Sequence, residues 1–368
     1  MYKLEVENLY MIEQVAVAFQ EKDYKKAAKL LKQLSKKSPK DPWVQFYIGR
    51  LYEVSGKLQE AEKVYRRLLQ DITTNTKIVT QARQGLQRLS EIEQEERIRA
   101  IAQATVHPDD AEPGVLILEP VSNELKTQAA PKFAQIMQLD SYSARLLLPS
   151  RGWRLYRSGA IGELKFYGEQ LKNAGIPCFW AKLTDIAKIQ VFHVEYFTES
   201  TPTATVICRN QAHQLGSLSF DWQEVKGRVQ GILPIFEEVV DVNARRQLER
   251  KTQTQDYFQF YDLHLPKRRC ILRLYDHGYK FQQGIKITSQ SSQNTIRINW
   301  NNLVGFLDQK LFQIKIWSDF TPFAETALDQ TELLNHVQSH IHLFRQEKTN
   351  WDSAFQLYSG LAFLCAEA

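Results

Sequence analysis

Apolar residues fall at three- and four-residue spacing through most of the first hundred positions, and over residues 9–75 they do so twice in one pattern. Around Ala27 the chain reads DYKKAAKLLKQLSKKSP (23–39), and around Ala61, 34 residues later, it reads GKLQEAEKVYRRLLQDIT (56–73). Before the second copy stands PWVQFYIGRLY (42–52), where Ile48, Gly49 and Tyr52 have the spacing of a helix packed face to face on the next one. Two helix-turn-helix units are predicted, 9–41 and 42–75. A further helix over 77–103 carries Ile78, Val79, Ala82, Leu86, Leu89 and Ile92 on one side. Its almost wholly polar stretch, 91–99, suits a helix that caps a stack.

At HPDDAEP, residues 107–113, proline and clustered acids break the helical period and predict a linker. The pattern beyond is mixed. GVLILEP (114–120) reads as a strand and 123–139 as a helix kinked or restarted at Pro131. ARLLLP and WRLYRSG read as a hairpin turning at 150–152, and 160–174 as an amphipathic helix with Leu164, Tyr167, Leu171 and Ala174 on one face. CFWAKL starts a strand, and alternation over 188–209 predicts two more. Asp329 and Glu332 have the form of a capping box for a helix through Leu333, Leu334, Val337, Ile341 and Phe344. An apolar helix over 351–365 closes the chain.

A weak internal duplication is also expected. Leu146, Leu148, Gly152 and Trp153 match Leu272, Leu274, Gly278 and Tyr279, while SFDWQEVKG (219–227) matches RINWNNLVG (297–305) with Trp222 on Trp300. The two tryptophans should then occupy equivalent buried positions. The expected division is 1–106 helical, 107–113 linker, and two related α/β units, 114–243 and 244–368.

With 43% apolar and 24% charged residues the composition is globular, and no apolar run reaches the roughly 18 residues of a membrane span. Glu5, Glu7 and Glu13 interrupt any export pattern, so a cytoplasmic protein is expected. Cys178, Cys208, Cys270 and Cys365 lie far apart, which fits buried reduced thiols. The net charge of +5 is concentrated: eight lysines fall within 22–40 against the single acid Asp23. Helical spacing gathers Lys22, Lys25, Lys29, Lys32 and Lys36 along one face, suited to an acidic protein or an anionic membrane surface.

The 34-residue period, with Gly49 and Ala61 where two helices must approach closely, resembles the tetratricopeptide repeat. The resemblance implies tetratricopeptide hairpins, which with the mixed pattern beyond residue 113 give an α + α/β protein: helical hairpins, then a mixed β-rich α/β region. It implies further that the inner face of each first helix meets a protein partner, here Leu9, Ile12, Ala16 and Phe19, then Trp43, Phe46, Arg50 and Val54. Ile12 and Ala16 stand where repeats that clamp acidic tails carry lysine and asparagine, so an amphipathic helix or peptide is the expected occupant. Val15, where the family favours a small residue, should splay the first pair. PSRGWRLYRSGAIGELKFYGEQL (149–171) resembles a group of cyanobacterial tetratricopeptide proteins, which implies an accessory factor in the cytosol or on a thylakoid surface.

Chemistry is sparse. Glu332, His336 and His340 have helical metal-ligand spacing without a further fixed ligand, and neither a phosphate loop nor a GxSxG motif occurs, so no metal, cofactor or catalytic residue is expected. Arg145, Arg151, Arg154 and Arg157 among Trp153 and Tyr156, and 267–269 after Tyr257, Phe258, Phe260 and Tyr261, offer a nucleic-acid alternative. The leading expectation is a non-enzymatic adaptor or assembly factor, with an enzyme whose active site carries no recognised motif as a further alternative.

Overall fold

A computed structural model describes residues 2–70, 75–242, 248–287, 295–343 and 349–367. The chain forms two compact units, Met1–Gln103 and Ala104–Ala368.

The first unit holds α1 (Tyr2–Gln20), α2 (Tyr24–Lys37), α3 (Pro42–Val54), α4 (Leu58–Gln70) and α5 (Thr76–Ala104). Short polar side chains start two of them. Asp23 accepts from the Lys26 amide, and Asp41 accepts from Trp43 and Val44 while Pro42 fills the first turn, where no amide donor is needed. Helices α1 and α2 pair around Val15, Leu31, Leu34 and Val44. Val15 is fully buried there, so its bulk is part of the first pair's core. Helices α3, α4 and α5 close on Phe46, Ala61, Tyr65, Leu68, Ile78, Ala82 and Leu89. The Tyr65 ring lies between two glycines: a Cβ at Gly49 would come within 2.7 Å of it and one at Gly85 within 2.6 Å.

The second unit begins with β1 (Pro113–Leu118), α6 (Asn123–Met137), α7 (Ser141–Leu147), β2 (Arg154–Ala160), α8 (Ile161–Asn173), β3 (Cys178–Lys182) and α9 (Leu183–Ala187). Strands β2, β1 and β3 make an antiparallel sheet in that order. The expected hairpin around 150–152 is not formed. Asp140 accepts from the Tyr142 and Ser143 amides and starts α7, so residues 141–147 are helical and β2 pairs with β1 instead. Pro131 sits inside α6 without ending it.

The chain continues through β4 (Gln190–Glu199), β5 (Ala204–Arg209), β6 (Leu215–Phe220), β7 (Gly227–Val242), β8 (Leu248–Leu265), β9 (Cys270–Tyr275), α10 (Ile296–Lys310), β10 (Ile316–Trp317), α11 (Phe320–Ala327), α12 (Thr331–Asn335) and α13 (Asn350–Glu367). The larger sheet has the order β10-β7-β8-β9-β4-β5-β6. Strands from 114–243 and from 244–368 are interleaved in it, and β7 pairs with β8 along its whole length, which a boundary at 243/244 does not anticipate. Helix α13 is buried on nearly every side, with Asp352, Gln356 and Ser359 enclosed among its apolar residues. Its Phe355, Tyr358 and Leu361 share one core with Trp153, Val229, Phe260 and Phe320. The sheet's other face is covered by α10 through Trp300, Leu303 and Leu307.

The expected duplication is not a structural repeat. Leu146 lies in the helix that Asp140 caps, whereas Leu272 is in β9. Trp222 opens a one-turn 3-10 helix at Trp222–Glu224, half-buried, whereas Trp300 is inside α10 and buried. The C-terminal capping box is likewise absent: Gln330 precedes α12 without a side-chain cap, and that helix stops at Asn335. Val337 and Ile341 follow in irregular chain, and Phe344 lies outside the described residues.

Candidate interaction surfaces

The first helices of the two hairpins, α1 and α3, carry the residues expected to meet a partner. Leu9 is 60% exposed, Val54 is exposed, and Ile12, Ala16, Phe19 and Trp43 are half-buried. Phe46 departs from the expectation. It is 4% exposed and faces Tyr65 across the hairpin, with ring centroids 6.0 Å apart, so it belongs to the core. The centre of the face is Tyr47, one position on and not singled out by the sequence. Its ring stacks on Phe19 at 5.5 Å and on Trp43 at 6.2 Å. The signal for it was the i, i+4 relation of Trp43 and Tyr47, which puts both rings on one side of α3.

Cations flank this aromatic row. The Arg50 guanidinium lies 5.8 Å from the Phe19 ring centre, and the Lys77 ammonium lies 6.0 Å from that of Trp43. Below them Glu53 takes two hydrogen bonds from Arg88, at 2.7 and 3.0 Å, and one from the Tyr65 hydroxyl at 2.7 Å. Arg50 Nε stays 3.8 Å from Glu53 Oε2, an ion pair without a hydrogen bond. Burial pushes the Glu53 carboxyl up, but the bonds from Arg88 and Tyr65 outweigh it and hold the group below the ordinary range. Beside Trp43 a cleft of about 590 Å³ opens between the start of α3 and α1, lined by Asn8, Leu9, Ile12, Pro39 and Lys40 among others.

Lys22, Lys25, Lys29, Lys32 and Lys36 are all exposed, and among the described residues none forms an ion pair; Lys37 meets Glu7 at 3.7 Å. Helix α4 adds exposed Lys63, Arg66 and Arg67, with Arg66 paired to Glu62. Asp23 and Asp41 face the helix starts that they cap, which leaves few acids to offset the lysines.

The second unit disperses the other candidates. Because α12 ends before it, His336 is exposed while His340, with φ 50°, is buried, so the two do not share a helical face. Among the described residues no group of three His, Cys, Asp or Glu is placed to hold a metal ion. Trp153 is core, edge-on to Phe179 and Tyr358, while Arg151 pairs with Asp319 and Arg157 with Glu163. Phe258, Phe260 and Tyr261 are also buried, and Arg268 is held by Glu224 through two bonds of 2.7 Å. Of the rings that a single strand would stack on, Tyr257 is exposed and Tyr156 half-buried, and the others are covered. Cys178, Cys208 and Cys270 are buried thiols pushed up to about 11 by that burial; Cys365, expected to be buried, is exposed.

One polar cluster escaped sequence reasoning. Asp262 on β8 and its cross-strand partner Arg273 on β9 are both fully buried and joined by bonds of 2.7, 2.9 and 3.2 Å. Ser359 of α13 donates to Asp262 Oδ2 at 2.6 Å, and His264 Nε2 stands 3.1 Å from the Ser359 oxygen. The order Asp-Ser-His is the wrong one for a nucleophile, because the hydroxyl proton is held by the carboxylate and histidine presents a donor instead of a base. The cluster neutralises a buried guanidinium. Its trace in the sequence is the Asp-x-His alternation in YDLHL, which places two polar groups on one face of an apolar strand.

A family model described as tetratricopeptide repeat matches residues 18–78. The helical hairpins are thus a tetratricopeptide-repeat region, a class of module that suggests protein–protein interaction in general terms. No curated protein and no solved structure matches the chain. No helix of the described residues is long and apolar enough to cross a membrane.

Proposed function

We propose that the protein is a non-enzymatic adaptor or assembly factor whose repeat region holds a helix or peptide of a partner protein. The observation that carries this reading is the open aromatic row Phe19, Tyr47 and Trp43, continued by the cleft at Leu9 and Ile12. Large flat rings at the edge of a cleft supply contact area at low cost in side-chain entropy. The neighbouring lysine face of α2 favours a segment with acidic residues, on a protein or at an anionic membrane surface, and speeds its encounter. The resemblance of 149–171 to cyanobacterial tetratricopeptide proteins supports an accessory role in the cytosol or on a membrane surface. The second unit, in this reading, presents a surface to another partner.

The test is capture of partners by the full chain and by Trp43→Ala and Leu9→Glu variants. A partner set lost with both variants, from proteins that still melt like the parent, supports the groove. An unchanged set would move the binding site elsewhere.

A further inference from the structure

Strand β7 is sixteen residues long, yet among the described residues it has only the two-residue strand β10 as a neighbour on the side away from β8. That pairing ends at Trp317 beside Val229. The Arg228 amide donates toward β10, to the Lys315 carbonyl, and strand alternation turns the amides of Gln230 and Ile232 the same way; the pair of Val229 with Trp317 takes up the Gln230 amide, which leaves that of Ile232. Pro234 comes next in that phase and has no amide to leave unpaired, and a bulge follows at Ile235/Phe236. A short length of open edge therefore runs from the Gln230 carbonyl to Pro234.

A pocket of about 390 Å³ sits where this edge begins, within the usual range of about 300–1,000 Å³ for ligand sites. Its rim carries five hydrogen-bonding side chains: Gln230, Gln259, Asn301, Ser318 and Thr321. Among the described residues none of the five makes a side-chain hydrogen bond within the protein. Four residues with buried rings border it as well, Phe260 and Phe320 from the core on one face of the sheet and Tyr261 and Trp300 from the core on the other. No charged residue lines it. A desolvated phosphate, carboxylate or ammonium would find no counter-charge there, whereas carboxamides and hydroxyls can both give and accept, as peptide groups do.

We propose that this notch takes a short, extended, uncharged peptide segment that continues the line of β10 and pairs with β7 between the Gln230 carbonyl and Pro234, through the Ile232 amide. Main-chain bonds to the edge supply the affinity and the neutral rim rejects charge. The site is separate from the repeat region and does not depend on the reading given above.

The test uses the full chain against a library of acetylated, amidated hexapeptides, read by fluorescence polarisation. Selected peptides should be uncharged at their centre and bind equally at low and high salt. N-methylation of a central amide should weaken them by roughly tenfold or more, because it removes the strand bond while sparing the side chain. Asn301→Lys, an exposed helix position, should do the same, and Ile232→Pro should remove the edge amide. Trp43→Ala should change nothing. A library without a binder, binders unaffected by Asn301→Lys, or binders indifferent to N-methylation would each overturn the proposal; the last would mark the notch as a site for a neutral small molecule.

Discussion

Arg88 of α5 grips Glu53 of α3 with two hydrogen bonds, and so ties the capping helix to the second hairpin through a carboxylate whose side chain is only 8% exposed. The Tyr65 hydroxyl of α4 donates to the same carboxylate, which makes Glu53 an acceptor shared by three helices. The folded carboxyl is held below its ordinary value, so its contribution is complete above the unfolded range near 4.5 and is lost as the pH falls from there through the lower folded value.

Glu53→Gln should therefore destabilise the repeat region by about 1–3 kcal/mol at neutral pH, with Arg88 partly exposed and the loss correspondingly moderated. Thermal melts at pH 7 and pH 4 should show the parent and the variant converging in acid. A variant as stable as the parent at neutral pH would mean that water replaces the bonds.

Phe46 and Trp43 stand three positions apart on α3 and should behave oppositely. Phe46→Ala empties a core site and should cost about 3–5 kcal/mol of stability. Trp43→Ala should cost little stability but about 2 kcal/mol or more of partner affinity. Chemical unfolding and titration of the captured partner separate the two. If Trp43→Ala melts like Phe46→Ala, the aromatic row is a core and not a binding face.

The helical unit was legible because a repeat advertises its own spacing. Gly49 was recognised as a close-approach position, and the structure adds that Tyr65 needs Gly85 as well, a residue outside the repeated pattern. Phe46 was misplaced since helical spacing alone cannot say which of two neighbouring rings a third helix will cover. In the second unit, Asp140 and Gln330 show how one cap decides an element: an aspartate in phase made a helix of 141–147, while Asp329, one residue out of phase, left 336–343 irregular. The Asp262–Arg273 pair joins residues whose partnership depends on strand register, and the β-hairpin spacing that sets it is not carried by any motif.

Charge reversal at Lys25, Lys29 and Lys32 should weaken binding of an acidic partner or of anionic vesicles as strongly as raising the salt, since exposed charges are screened over about 8–10 Å at 0.1–0.15 M. These side chains are exposed and unpaired among the described residues, so the triple Glu variant should fold normally. Circular dichroism checks the fold, and affinity at low and high salt checks the effect. Affinity indifferent to both changes would leave the lysines as plain solvated surface.

The last expectation concerns acid and the second unit. Burial first, then the positive charge of Arg273, pushes His193 down to about 3 and His340 to about 4; His264, also desolvated, falls to about 4 although Asp262 pulls it the other way. His342 faces His193 at 5.9 Å between ring centres, and its charge when protonated adds to that of Arg273 in lowering His193 and His340. Folded, the buried rings stay neutral; unfolded, they take up protons near 6.5. The unfolded chain thus binds more protons between about pH 6.5 and 4, and stability must fall as the pH is lowered through that window. Histidine at position 340 adopts a positive φ that asparagine also tolerates, so His340→Asn keeps the backbone while removing one titrating group. Melts of parent and variant from pH 7.5 to 4.5 should show a shallower decline for His340→Asn; parallel curves would exclude that ring from the acid response.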